Sequence, residues 1–297
     1  MKVGLVLPMA SGDAGRVLAF ARRAEKLGFD GLFAFDHLFP PGAPSDRPSL
    51  EAFAMLAGVA AVTSRVAVGT LVARASLRSA GMLAKQAVTL DGLSAGRFVL
   101  GIGTGDEVSA AEHEAFGLAY LGPGVRREHL VETVRALRAL FRGEPWAGGV
   151  HVPRIDGPLL PPPRTLGGPP IWIGGVSEGA VRVAAEEADA WNGWGLDPST
   201  FAERARLLAS RAGRRIEPTW GGAMVVGADA AEAERLVAAR RERGLEQAWG
   251  GSARSAVGWL RELERAGATW AIVLAAGPPD RIDLIGERVL PAIEASG

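Results

Sequence analysis

The chain has 297 residues, of which 48% are apolar and 22% charged, and its 33 basic and 33 acidic side chains leave a net charge of zero. This composition suits a soluble protein with a sizeable core, carries no nucleic-acid footprint, and contains no apolar stretch of about 18 residues to span a membrane. Cysteine is absent, which excludes disulfides, thiolate metal sites and cysteine nucleophiles and, with no signal-like apolar region ahead of Asp13 and Arg16, points to the cytoplasm.

Short apolar or β-branched runs alternate with longer segments of helical spacing. The strand-like runs are Val3–Leu7, Gly31–Phe35, Val66–Val72, Arg97–Ile102, Pro170–Ile173, Ala190–Trp194, Met224–Val226 and Thr269–Leu274. Helices are predicted between them over Ala14–Leu27, Leu50–Val62, Leu83–Leu93, Arg126–Phe141, Glu178–Ala188, Thr200–Ala212, Ala230–Arg243, Ser255–Ala266 and Ile282–Ala295. The first carries Val17, Leu18, Ala21, Ala24 and Leu27 on one face. Gly28, Gly213, Gly244 and Gly267 stand where helices want a left-handed closing residue.

Eight strands, each followed by helix, predict a single α/β domain over residues 1–297, a closed (β/α)8 barrel of the TIM type. An open doubly wound sheet is disfavoured, because no Gly-x-Gly-x-x-Gly follows the first strand, which runs into Pro8-Met9-Ala10-Ser11. After the fourth strand and its helix, residues 143–169 break the rhythm with six glycines and seven prolines. A connection this long is expected to be a lid that closes over the cleft, His151 among its residues.

Barrel enzymes carry their chemistry at the C-terminal ends of the strands. The second strand ends in Phe35-Asp36-His37, an acid beside an imidazole and a candidate proton-transfer pair, or else a histidine satisfying a loop carbonyl. His113 and His129, in polar helical surroundings, read as surface residues. The third strand runs out through Leu71-Val72-Ala73-Arg74. The fourth ends in Gly101-Ile102-Gly103-Thr104-Gly105-Asp106, whose alternate glycines permit close approach of a flat ring or a phosphate. The fifth ends in Gly174-Gly175-Val176-Ser177 before a helix, a turn with an N-cap and a dipole suited to an anion, or an ordinary capped turn. In the sixth, Trp191 and Trp194 point to opposite faces. Trp191 reads as packing and Trp194 as a wall of the substrate pocket.

Taken in order, Lys2-Val3-Gly4-Leu5, Phe35-Asp36-His37-Leu38-Phe39, Val68-Gly69-Thr70, Gly96 to Gly105, Pro170 to Gly175 and Ala188-Asp189-Ala190-Trp191 resemble the luciferase-like monooxygenase superfamily, in particular its branch dependent on coenzyme F-420, a deazaflavin. The resemblance covers nearly the whole chain. It implies hydride transfer between carbon 5 of the deazaflavin and a small organic substrate, with His37 facing the reactive ring carbon and Asp36 contacting the cofactor. It implies a cis peptide at Leu71-Val72 behind the ring, Thr104 and Gly105 lining the cleft, and a phosphate-binding turn at Gly174, Gly175, Val176 and Ser177. Asp106 aligns with an acidic proton donor of a sugar-phosphate dehydrogenase group, one carbon shorter here, and joins His37 as the second acid–base candidate. No metal is implied, and a homodimer is expected. The alternatives are an FMN-dependent monooxygenase on the same barrel and a non-catalytic flavin-binding protein. The Asp36-His37 pair and the run Gly103 to Asp106 favour the deazaflavin.

Overall fold

A computed structural model describes residues 1–40, 46–245 and 248–295. Ten strands lie in one parallel sheet, and eight of them close it: β1 (Lys2–Val6), β2 (Gly31–Ala34), β3 (Ala67–Thr70), β5 (Phe98–Gly103), β6 (Ile171–Gly174), β7 (Ala190–Trp194), β8 (Glu217–Gly227) and β10 (Trp270–Ala275). Closure comes from β10, which pairs with β1 in the register Lys2↔Trp270 and with β8 in the register Thr219↔Trp270. The other two strands are extensions: β4 (Ala73–Arg74) continues the line of β3 against β5, and β9 (Trp249–Ser252) adds to the far end of β8.

The helices α1 (Ala14–Lys26), α2 (Ala52–Val62), α3 (Ala80–Leu93), α4 (Ala110–Ala115), α5 (Pro123–Phe141), α6 (Glu178–Glu187), α7 (Pro198–Arg211), α8 (Ala230–Glu242), α9 (Ala253–Arg265), α10 (Arg281–Arg288) and α11 (Leu290–Glu294) surround the barrel. The larger apolar layer lies between strands and helices, where Leu5, Leu32, Leu100 and Ile173 meet Val17, Leu56, Leu83 and Val181. Inside the barrel, the rings of Phe33, Trp172 and Trp270 pack with centroids 5.5–5.9 Å apart. Neighbouring strands make room for them: a Cβ on Gly31 or Gly69 would stand 2.8 or 3.0 Å from the Phe33 ring. Small residues beside large ones fill the interior, as a packed barrel requires. Among the described residues, no helix is long and apolar enough to cross a membrane.

Two expectations need correction. The seventh barrel strand is not Met224–Val226 but Glu217–Gly227; its barrel half contains Gly221-Gly222, which lack the side chains that mark a strand. Those glycines are required, since a Cβ at Gly222 would stand 2.4 Å from the Trp220 ring and one at Gly221 2.7 Å from Trp194. Met224–Gly227 is the part that leaves the barrel to pair with β9. Gly213 is not a left-handed closure: Gly28, Gly244 and Gly267 have positive φ, whereas α7 ends at an extended Ala212.

Residues 143–169, the expected lid, take a defined course. The segment folds against the flanks of α3 and α5. Trp146 pairs with Ile155, and Val152 packs on Ala80 and Ala136. Glu132 of α5 accepts the N–H groups of Val150, His151 and Val152, and these three bonds hold its carboxyl below the usual range although burial pushes it up. Farther along, Lys85 donates to the Leu160 carbonyl and Asp91 accepts two bonds from Thr165, both helix residues lying on α3. His151 reaches Glu128 at 3.1 Å on the same flank.

Candidate active site

Beyond β2 the chain presents Asp36 and His37 in opposite roles. Asp36 is 4% exposed and both its oxygens are taken: Arg78 binds them bidentately at 2.8 and 2.9 Å, and the Arg74 N–H adds a third bond at 2.9 Å. Its carboxylate therefore ties the end of β2 to β4 and to the turn before α3. The His37 side chain is half-buried, and its Nδ1 lies 2.6 Å from Oε1 of Glu112. Its Nε2 has no partner among the described residues.

Glu112, on α4, is the member of this cluster that sequence reasoning missed. It is fully buried, and its Oε2 accepts the Leu38 N–H at 2.6 Å and Arg74 Nη2 at 2.7 Å. Burial pushes this carboxyl up, but the bonds from His37 and Leu38 and the charge of Arg74 outweigh that and leave it below the usual range. In sequence it is one more glutamate in Ala-Ala-Glu-His-Glu-Ala, and only its inward face sets it apart. The adjacent His113 is likewise fully buried, contrary to the surface expectation, with Nδ1 on the Ser109 carbonyl and Nε2 on Ser76 Oγ. His129 is half-buried, and burial, then the nearby His151, push its imidazole down.

The acid that the fold brings to His37 is thus Glu112, not Asp106. Asp106 is exposed and caps a single 3-10 turn, Glu107–Ser109, by accepting Ser109 N–H and Oγ at 3.1 and 2.9 Å. Tyr120 secures the same residue through its carbonyl at 2.6 Å. Thr104 turns its hydroxyl to the Gly105 carbonyl, which also accepts from Arg126 at 3.0 Å.

The peptide bond Leu71–Val72 is cis, where the resemblance placed it. It connects β3 to β4, and the Val72 side chain occupies the space that Gly103 and Gly174 leave free. A Cβ on either would stand 2.7 or 2.9 Å from a Val72 methyl, and a Cβ on Gly101 would stand 2.1 Å from the Thr70 oxygen. The alternate glycines of β5 therefore admit the neighbouring strand rather than a ligand. Leu71 and Val72 themselves belong to the apolar cluster at the barrel interior, together with Phe35 and Trp194, whose rings meet edge-on at 5.3 Å. Trp191 faces outward, stacks on Phe201 and donates to the Gly175 carbonyl at 2.7 Å, so the two tryptophans do diverge as the strand period requires.

Gly175 has φ +146° and its N–H donates to the Asn192 carbonyl. Ser177 caps α6 by accepting the Ala180 N–H at 3.2 Å. The N–H groups of Val176, Ser177, Glu178 and Gly179 have no acceptor among the described residues. Two cations flank this end. Arg204 donates to the Val176 carbonyl at 3.1 Å, and Arg127 Nη1 lies 3.0 Å from the position of a Cβ on Gly179. Open donors, the positive end of the helix and guanidinium groups together suit an anion such as a phosphate. No cluster of metal-binding side chains occurs among the described residues.

A parallel barrel with an imidazole, a buried carboxylate and an open helix N-terminus at the strand ends defines an α/β-barrel enzyme. The luciferase-like monooxygenase profile matches residues 1–286, and the chain belongs to that family. Solved structures agree in fold. An F420-dependent secondary alcohol dehydrogenase in complex with an F420-acetone adduct superposes with a TM-score of 0.85 at 20% identity, over 98% of both chains. The coenzyme F420-dependent tetrahydromethanopterin reductase from Methanopyrus kandleri gives 0.79 at 17% identity, over 99% of this chain and 100% of that one. EDTA monooxygenase from Chelativorans sp. BNC1 gives 0.83 at 15% identity, over 99% of this chain and 94% of that one.

Proposed function

We propose that this enzyme binds coenzyme F-420 at the C-terminal mouth of the barrel and exchanges hydride with a small organic substrate. The observation that carries the reading is His37, whose Nδ1 is held by Glu112 while Nε2 is left without a partner beside an apolar wall. The residues fit the cofactor in two further ways. The unpaired N–H groups at the start of α6, with Arg127 and Arg204, match a phosphate. Leu71, Val72, Phe35 and Trp194 offer apolar faces to a flat ring system. When bound, the deazaflavin supplies the hydride chemistry. The chain's own contribution is to hold both partners in register, to keep water from the reacting face, and to take or give a proton at Nε2 of His37.

An FMN-dependent monooxygenase is the second reading, because the same helix terminus and wall serve a flavin and because a monooxygenase superposes nearly as well as the F420 enzyme. Equilibrium titration of the purified protein with each cofactor, followed by fluorescence, separates the two. The proposal expects saturable binding of coenzyme F-420 and none of FMN. The opposite pattern overturns it.

A further inference from the structure

Glu112 touches neither the open nitrogen of His37 nor the cleft, yet it grips the imidazole and the next backbone N–H at once. Its Oε1 meets Nδ1 of His37 at 2.6 Å, its Oε2 meets the N–H of Leu38 at 2.6 Å, and Arg74 Nη2 completes the set at 2.7 Å. An ionised carboxylate only accepts hydrogen bonds. The proton must therefore sit on Nδ1, and the ring's remaining proton chemistry is confined to Nε2. We propose that Glu112 is the positioning residue of this site: it fixes the tautomer and tilt of His37 and so reserves Nε2 for the proton that accompanies hydride transfer.

The surroundings are built to keep it there. Charged groups around the ring are Glu112 on α4 and Arg74 on β4, followed by Asp36 with its bidentate Arg78 and, 3.5 Å from Arg78, Glu51 ahead of α2. Arg74 is held at its Nε by the Asp36 carbonyl at 3.0 Å, so its position is set independently of Glu112. The helix that carries Glu112 has six residues and stands on the turn that Asp106 caps. His113 bolts that turn to Ser76 through its two ring nitrogens. Asp106, which aligns with a proton donor in sequence, acts here one step removed, by supporting the element that delivers Glu112.

Glu112→Gln makes a sharp test because its amide must choose. Two donors, Leu38 N–H and Arg74 Nη2, face one end of the side chain, and only His37 faces the other. The amide oxygen goes to the two donors, and the NH2 group is turned towards Nδ1. Nδ1 then has to accept, and the proton moves to Nε2. The probe is the set of ring 15N resonances of His37 in the cofactor-free protein, followed from pH 5 to pH 9. In the wild type the neutral ring is expected as the Nδ1–H tautomer. In Glu112→Gln the Nε2–H tautomer is expected. Glu112→Asp, which keeps the charge, restores the Nδ1–H form. A wild-type ring in the Nε2–H form overturns the proposal, as does a folded Glu112→Gln protein whose tautomer matches the wild type. Should Glu112→Gln fail to fold, the wild-type tautomer and the Glu112→Asp spectrum still decide.

The inference rests on the proposed function only for the use made of the proton. Because the measurement needs neither cofactor nor turnover, binding of FMN instead of coenzyme F-420 would sink that reading and leave this one standing. In the active enzyme, Glu112→Gln is expected to lower kcat with KM held.

Discussion

The two mouths of the barrel differ in what their polar groups do. The N-terminal mouth holds a cavity of about 590 Å3 lined by Lys2, Arg65, Arg97, Trp172, Asp189 and Trp270, among others. Several of its charges are occupied by the chain itself. Arg97 donates four bonds, to Thr63 Oγ1 and to the carbonyls of Ala60, Thr63 and Val66; Asp30 accepts the Val3 N–H; Asp189 accepts Ile171 N–H and Arg138; Lys2 lies 5.1 Å from the centre of the Trp270 ring. At the C-terminal mouth, Nε2 of His37, four N–H groups at the start of α6 and the buried Nη1 of Arg74 have no protein partner among the described residues. Volume marks the first end and open hydrogen-bonding capacity marks the second. The second is the better sign of a ligand site, because open donors at a helix N-terminus favour an anion and the buried Arg74 Nη1 adds a donor without a partner beside His37.

The largest test of this contrast is His37→Ala. It removes the proposed proton-handling group and should lower turnover by about 10²–10⁴-fold. The thermal midpoint should scarcely move, since the ring fills no closed part of the core. Turnover unchanged with the true substrate would end the mechanism while leaving the fold intact. The mirror experiment is Arg97→Ala at the other mouth. Orphaning its carbonyl acceptors should cost on the order of 2–4 kcal/mol, read from denaturant unfolding, with cofactor affinity unchanged.

The sequence showed one mouth better than the other for a physical reason. Strand ends such as Phe35-Asp36-His37 and Gly174 to Ser177 are local patterns, and the fold places both at the same end of the barrel. Glu112 was invisible because its importance depends on which face of a six-residue helix turns inward, and a single turn and a half is too short for periodicity to reveal that. The alternation of β5 was seen and misattributed: Gly101 and Gly103 are demanded by Thr70 at the end of β3 and Val72 in the β3–β4 connection, contacts between residues about 30 positions apart in sequence. Residues 143–169 read as a lid from length and composition, whereas their course along α3 and α5 follows from acceptors, Glu132 and Asp91, that lie outside the segment.

Gly103→Ala sharpens the point. A methyl placed 2.7 Å from the Val72 side chain must push the β3–β4 connection aside. Overpacking of this kind should cost about 1–3 kcal/mol. Cofactor binding should weaken as well, because Val72 forms part of the apolar wall. If stability falls and binding does not, Val72 is outside the binding surface.

The smallest effect compares two helix starts at the same mouth. Asp197 fills the N-terminus of α7: it accepts the N–H groups of Ser199 and Thr200 and both of their hydroxyls, whereas Ser177 satisfies one N–H of α6. The hydroxyl of Ser199, then that of Thr200, hold the Asp197 carboxyl far below the usual range. A carboxyl depressed in the folded state contributes stability that is complete above its unfolded pKa, about 3.9, and is lost as pH falls towards the folded value. Asp197→Ala should therefore cost about 0.5–2 kcal/mol at pH 7, and the gap to wild type should narrow as the pH is taken below about 4. Urea midpoints at pH 7 and at pH 2.5 give the two values. Inorganic phosphate should raise the melting temperature of wild type and Asp197→Ala by the same increment, because its site is the open end of α6 and not the closed end of α7. An increment lost in Asp197→Ala would move the anion site from one helix to the other.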